Sequence, residues 1–172
     1  TVLTPEMRST GEVMGIADNF EAAFFKSQIS TGMLFPKSGN VFLSIRNEDK
    51  TKEMGAACKI LKKIGFKIIA TKGTKSFLDK EGVDSQLVKK VFEGRPNIAD
   101  LLKDKKINIV MNTTQGKQSI EDSKDIRSLA LNNKIPYYTT ARGIIAIINS
   151  LKENMGGTIS VKAIQEYHAQ LI

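Results

Sequence analysis

The chain has one cysteine, one histidine and no apolar run long enough to cross a bilayer. A single cysteine, Cys58, excludes an internal disulfide and a cysteine-based zinc site, as is typical of proteins in a reducing, cytoplasmic compartment. The spacing of neighbouring apolar residues predicts that Cys58 fills the core from a helix face. The only histidine, His168, lies in a predicted surface helix near the C-terminus, so we do not expect it to act as a general base.

Signatures of catalysis are also missing. The sequence contains no Gly-x-Ser-x-Gly turn, no complete phosphate loop and no Gly-x-Gly-x-x-Gly dinucleotide fingerprint. Acidic residues fall mostly at helix starts and on exposed faces, and no carboxylate pair is isolated in an apolar setting. We therefore predict a binding protein without catalytic residues, metal ligands or a cofactor of its own.

Acidic residues are fewer than basic ones: the sequence has 18 aspartates and glutamates and 26 lysines and arginines, which gives a net charge of +8. This balance suggests either a nucleic acid or a small anion as the partner. The lysines are scattered rather than clustered, and three tyrosines and eight phenylalanines offer little for base stacking. A small anionic ligand fits at least as well, and we expect neither a nucleic-acid nor a membrane partner.

Strands and helices alternate along most of the 172 residues, a length that suits one domain and part of a second. Strands are predicted at residues 41–45, 66–70, 86–91, 107–111 and 135–138, after a Gly- and Pro-containing linker at 30–40. Because right-handed crossovers place helices on both faces of a parallel sheet, this order predicts a Rossmann-like α/β fold.

Capping residues mark the predicted helices. Asp18 and Glu21 have the spacing of a capping box, Asn97 suits a helix start, and Gly65 suits a helix end. Asn47 or Asp49 is expected to cap the second helix. Further helices are predicted near residues 76–80, through 120–129, through 144–151 and over 161–170.

Polar residues follow three of the predicted strands. The second strand ends in Thr71-Lys-Gly-Thr74, the first leads through Ser44 to Lys50, and the fourth ends in Asn112, Thr113 and Thr114. Because the carboxyl ends of parallel strands share one edge of the sheet, these groups are expected to form one pocket for an anion with a polar ring. Each hydroxyl taken alone is more often a helix-cap residue than a ligand contact, but three independent strand ends with such residues favour the pocket.

The longest recognisable motif is residues 5–15, Pro-Glu-Met-Arg-Ser-Thr-Gly-Glu-Val-Met-Gly. It resembles the segment that closes the second ATP-grasp half of the large subunit of bacterial carbamoyl-phosphate synthases. Other segments are similar to that subunit's C-terminal allosteric domain: 43–50, 70–74, 93–96, 112–114, 120–123 and 137–140. The resemblance implies that residues 1–38 are the ATP-grasp tail and a linker, and that residues 39–172 are the allosteric domain.

The resemblance also implies a fold and ligands. It implies a methylglyoxal-synthase-like fold, a three-layer α/β/α arrangement around a five-stranded parallel sheet. Effectors in the family are UMP as inhibitor, and IMP and ornithine as activators. The parent enzyme is an ATP-dependent ligase of pyrimidine and arginine synthesis, and it binds ATP and magnesium in domains upstream of this one. Implied partners are the rest of the large subunit, the glutaminase small subunit and a second copy of the chain.

Site residues are implied position by position. Matches to the nucleotide-effector positions are Ser44, Lys50, Thr71, Gly73, Thr74, Lys90, Asn112, Thr113 and Thr114. Matches to the ornithine positions are Tyr137 and Thr139, and the carboxylates of that ornithine site lie upstream of Thr1 in the family.

The chain departs from the family at several positions. Lys72 stands where histidine is common, and Lys117-Gln118 stands where two arginines are common. True methylglyoxal synthases carry a Gly-Gly-Asp stretch with the catalytic aspartate, whereas residues 112–116 here read Asn-Thr-Thr-Gln-Gly. This difference weakens the alternative hypothesis of a phosphate-handling lyase.

Overall fold

The computed structural model describes residues 13–113, 117–154 and 159–169. The strands are β1 Gly39–Ser44, β2 Phe66–Ala70, β3 Gln86–Leu87, β4 Ile109–Asn112 and β5 Tyr137–Tyr138. The helices are α1 Phe20–Ser30, α2 Lys52–Lys63, α3 Lys72–Lys80, α4 Ile98–Lys103, α5 Lys117–Asn132, α6 Ala141–Asn154 and α7 Ile164–Ala169. Single 3₁₀ turns occupy Asn47–Asp49 and Val91–Glu93.

The five strands form one sheet in the order β3-β2-β1-β4-β5, and every pair is parallel. The predicted five-stranded parallel sheet is therefore confirmed. The chain leaves β1 toward β2 on one side and returns to β4 on the other, so β1 and β4 flank the point where the strand order reverses. Ligands of open α/β sheets bind at this point, outside the carboxyl ends of the strands.

Helices cover both faces of the sheet, as the three-layer prediction requires. Alternation along β1 sends Val41 and Leu43 to one face and Phe42 to the other. The first face packs on α1, α2, α3 and α6, and the second packs on α4 and α5. Because each face buries its own apolar cluster, the sheet is apolar on both sides and its polar residues collect at the strand ends.

Cys58 is fully buried on α2, which confirms its predicted place in the core. Burial raises the pKa of its thiol to about 12, so the group is a neutral, unreactive packing element at ordinary pH.

Helix α1 packs on α6 beside the first apolar cluster, to which it contributes Phe25. The Tyr138 hydroxyl donates to Gln28 Oε1 over 3.0 Å, which ties the end of β5 to α1. Burial raises the pKa of Tyr138. No helix in the described ranges is long and apolar enough to span a membrane.

The capping residues of two helices differ from the prediction. Asn19, rather than Asp18, is the N-cap of α1, and its side chain accepts from Ala22 N. Thr51, rather than Asn47 or Asp49, caps α2 and accepts from Met54 N. The predicted cap residues Asn47 and Asp49 instead lie in a 3₁₀ turn that precedes α2. Gly65 follows the end of α2 with a positive φ of 99°, and Asn97 caps the start of α4. Both predictions are confirmed.

Several elements have bounds that differ from the prediction. Strands β1, β4 and β5 are Gly39–Ser44, Ile109–Asn112 and Tyr137–Tyr138 rather than 41–45, 107–111 and 135–138. Helix α3 begins at Lys72 rather than near residue 76, because Lys75 N already donates to Thr71 O and closes the first turn. Strand β3 is limited to Gln86–Leu87, since it is an edge strand paired with only two residues of β2. Helix α7 covers Ile164–Ala169 of the predicted 161–170.

Candidate functional site

Three hydroxyls meet where β1 and β2 end. Thr71 Oγ1 lies 3.4 Å from Ser44 Oγ and 3.3 Å from Thr74 Oγ1. Thr74 Oγ1 in turn accepts from Ile45 N over 2.8 Å, which fastens the first turn of α3 to the end of β1. Thr71 and Thr74 are buried, so this cluster is part of the folded framework rather than a solvent-facing loop.

The start of α3 has no side-chain cap. Thr71 occupies the N-cap position, but its hydroxyl makes no hydrogen bond to the helix backbone. The threonine at the start of α2, Thr51, does make that bond. The first N–H groups of a helix have no partner within the helix, and no described side chain caps those of α3. They can therefore bind an anion, which the helix dipole also favours.

A cleft of about 270 Å³ opens over these groups. It is lined by Ser44, Ile45, Arg46, Asn47, Lys50, Thr71, Gly73, Thr74, Lys90 and Thr113. A Cβ built at Gly73 would lie 3.4 Å from Lys50 Nζ, so the ammonium group lies directly beside the start of α3.

Lys50 is the half-buried cation of the cleft. Its Nζ donates to Asn47 Oδ1 over 2.7 Å. Burial, and secondarily the positive charge of Lys90, lower the pKa of Lys50. A partly buried cation with a second cation nearby forms a site that a bound anion stabilises.

The end of β4 closes the other side of the cleft. Thr113 N donates to Ser44 O over 2.9 Å, and Thr113 Oγ1 accepts from Arg46 N over 2.9 Å. These bonds hold the chain after β1 against the chain after β4. The carboxyl ends of β1, β2 and β4 thus contribute to one site, as predicted from the positions of their polar residues.

A small recess of about 30 Å³ adjoins the cleft and shares Ser44, Thr71 and Lys90 with it. Asn112 lies in the recess, where its Nδ2 donates to Ser123 Oγ over 2.8 Å. The space suits one small polar group, such as a hydroxyl or one edge of a ring.

The structure brings together eight of the nine nucleotide-effector positions. Those lining the cleft or the recess are Ser44, Lys50, Thr71, Gly73, Thr74, Lys90, Asn112 and Thr113. Thr114 lies outside the described residues. The two positions predicted for ornithine lie on and after β5: Tyr137 is half-buried beside Asn112, and Thr139 is exposed.

Sequence reasoning missed Arg46 and Asn47, which also line the cleft. Arg46 Nε lies 2.7 Å from Asp49 Oδ2, and this ion pair braces the 3₁₀ turn that carries Lys50. The signal was present in the motif at residues 43–50, but Asn47 was interpreted as a helix cap. None of the described residues lining the cleft carries a carboxylate or an imidazole.

Comparison with known proteins shows the family to which this chain belongs. The family model described as "MGS-like domain" matches residues 53–139, which is half of the chain. The chain belongs to the MGS-like domain family. The matched range of this MGS-like domain includes β2, the start of α3, Asn112 and β5.

The same chain is similar to carbamoyl phosphate synthase large chains over nearly all its length. It is 45% identical over 168 residues to that of Mesorhizobium japonicum, covering 98% of this chain and 14% of the relative. It is 48% identical over 170 residues to that of Buchnera aphidicola, covering 99% of this chain and 16% of the relative. It is 43% identical over 167 residues to that of Methanobrevibacter smithii, covering 97% of this chain and 16% of the relative.

These alignments confirm the predicted resemblance. They also fix its extent, because the chain spans only 14–16% of the length of the relatives it matches.

Proposed function

We propose that the cleft binds the phosphate of a nucleoside monophosphate and that this chain is a regulatory domain of a carbamoyl phosphate synthase large chain. The observation that carries the proposal is the uncapped start of α3 facing Lys50. Thr71 leaves the helix N–H groups without a side-chain acceptor, and a phosphate supplies the missing oxygens.

The remaining parts of the ligand follow from the shape of the site. With the phosphate against Lys50 and the start of α3, the recess beside Asn112 receives a polar group of the ribose or base. Lys90 lines both the cleft and the recess, so its positive charge offsets the negative charge of the bound phosphate. We propose UMP as inhibitor and IMP as activator, since both carry the same phosphate and ribose.

Regulation places the domain within a larger enzyme. In this proposal the parent makes carbamoyl phosphate for pyrimidine and arginine synthesis in the cytoplasm, with ATP and magnesium bound elsewhere and a glutaminase subunit as partner. Each effector must prefer one of two states of the whole subunit, because equal binding to both shifts nothing. Ornithine activation through Tyr137 and Thr139 belongs to the same proposal and requires the complete large chain.

The proposal is tested by calorimetry with UMP and IMP on the wild-type chain and on Lys50→Ala. A charge-assisted hydrogen bond contributes roughly 1.5–3 kcal/mol, so the substitution is expected to weaken UMP about tenfold or more. The matched control is Lys52→Ala, which removes the same charge from an exposed position outside the cleft and should bind UMP as the wild type does.

Absence of heat from both nucleotides at millimolar concentration would contradict the proposal, and so would equal losses in Lys50→Ala and Lys52→Ala. Lyase activity is assayed as methylglyoxal release from dihydroxyacetone phosphate. We expect none, because proton abstraction needs a positioned base and the described cleft lining offers neither a carboxylate nor an imidazole. Duplex DNA should not displace UMP.

A further inference from the structure

The side chain of Asn112 is held by two hydroxyls from different elements. Its Nδ2 donates to Ser123 Oγ of α5 over 2.8 Å and to Tyr137 Oη of β5 over 3.2 Å. An amide nitrogen has two hydrogens, so both are occupied by these contacts. No described residue donates a hydrogen bond to the carbonyl oxygen Oδ1, and we assign this atom to a ligand hydroxyl or N–H group in the recess.

The Tyr137 ring is itself fixed in place. The Arg127 guanidinium carbon lies 5.6 Å from the ring centroid, a cation–π distance. The ring also packs against the apolar cluster between the sheet and helices α4 and α5. Ser123 and Arg127 are four residues apart on α5, so one helix face contacts both Asn112 and Tyr137. These contacts join the ends of β4 and β5 through α5.

We propose that Tyr137 is a positioning residue for the nucleotide site, whose hydroxyl fixes the orientation of the Asn112 amide and so sets the affinity of the recess. The inference rests on the proposed function. It assigns Tyr137 no contact with the phosphate, which binds some distance away at the start of α3. Loss of the hydroxyl leaves Asn112 with one anchor, and the amide must then be ordered by the ligand itself.

The test is Tyr137→Phe, which removes only the hydroxyl and keeps the ring under Arg127. UMP binding to the 172-residue chain is expected to weaken about three- to tenfold, the range for one neutral hydrogen bond. Binding of inorganic phosphate, which reaches only the cleft, is expected to stay unchanged. In an Asn112→Ala background the same substitution should have no further effect on UMP, since the group it positions is gone.

The adjacent tyrosine provides the matched control. Tyr138→Phe also removes one bonded hydroxyl from β5, but that hydroxyl contacts Gln28 on the opposite face of the sheet. We expect Tyr138→Phe to lower the unfolding temperature as much as Tyr137→Phe does, or more, and to leave UMP affinity unchanged. This contrast separates positioning from general destabilisation.

An independent measurement needs no nucleotide. The Asn112 side-chain amide protons, followed by nuclear magnetic resonance, should exchange with solvent faster in Tyr137→Phe than in the wild type or in Tyr138→Phe. Unchanged exchange would overturn the inference, and so would equal weakening of UMP and phosphate or additive losses in the double variant. A wild-type chain that binds phosphate but shows no preference for UMP would overturn both this inference and the proposed function.

Discussion

Lys50 carries its charge in an unfavourable setting until an anion arrives. Its pKa is lowered by burial and by Lys90, so at alkaline pH it loses its proton before an exposed lysine does. A bound phosphate favours the charged form and raises the pKa again. Phosphate-ester binding is therefore expected to take up protons at alkaline pH, and its affinity should fall as pH rises through the lowered pKa.

This pH dependence is measured by calorimetry with ribose 5-phosphate, which has no titrating base, from about pH 7 to about pH 10.5. The control is Lys50→Arg, whose guanidinium stays charged throughout and should show a flatter profile. Lys90 remains in both proteins, so the difference between the two profiles reports Lys50. Identical profiles would show that Lys50 does not contact the phosphate.

Among single residues, those that end strands can be predicted from the sequence. Those whose position depends on packing cannot. Ser44, Thr71 and Asn112 follow apolar runs directly, so their common edge of the sheet was predictable. Arg46 was not, because its place depends on the 3₁₀ turn after β1. The contact between Asn112 and Tyr137 depends on how β4 and β5 are staggered and on α5, and no local pattern encodes that distance.

Helices α2 and α3 begin with the same residue type in two different roles. Thr51 caps its helix, whereas Thr71 leaves its helix uncapped. Thr51→Ala is therefore expected to lower the free energy of unfolding by about 0.5–2 kcal/mol and to leave UMP affinity unchanged. Thr71→Ala should weaken UMP because it removes a hydroxyl that lines both the cleft and the recess. Its effect on stability should be smaller because that hydroxyl makes only contacts of 3.3 Å and 3.4 Å.

Urea unfolding and calorimetry on both variants test this crossed pair. Each variant serves as the control for the other, because the substitution and the helix position are the same. If Thr51→Ala weakened UMP as strongly as Thr71→Ala, a general loss of stability rather than the loss of a hydroxyl in the cleft would explain the weaker binding.

Element bounds were predictable where local chemistry determines them. Gly65 and Asn97 mark their helix ends because a positive φ and an amide cap are local requirements. The start of α3 and the length of β3 were not predictable in the same way. Helix α3 starts early because Thr74 is anchored to Ile45, and β3 is short because it pairs on one side only.

The whole molecule should report nucleotide binding as thermal stabilisation. At a UMP concentration of about 100 times the dissociation constant, binding to the folded state alone adds about 2.7 kcal/mol. For a chain of this size that corresponds to a rise in unfolding temperature of roughly 5–11 °C. Differential scanning fluorimetry measures it, with uridine as the control ligand because it lacks the phosphate. An equal rise with uridine would contradict the phosphate as the main contact.

The fold class was predictable from the alternation of strands and helices, because right-handed crossovers leave few other topologies. The packing of α1 on α6 was not, since no pattern within either helix identifies its neighbour. The predicted boundary between residues 38 and 39 remains a prediction.

The central position of β1 has a consequence for the order in which the molecule opens. Its backbone is paired with β2 on one side and with β4 on the other, whereas β3 and β5 are short and paired on one side only. Amides of residues 41–44 should therefore exchange with solvent only through global unfolding, and those of the edge strands through local opening. Ser44, at the end of β1, belongs to this most protected segment. The floor of the cleft should thus persist while the rim at Lys90 fluctuates, so that ligands enter and leave without any loss of the fold.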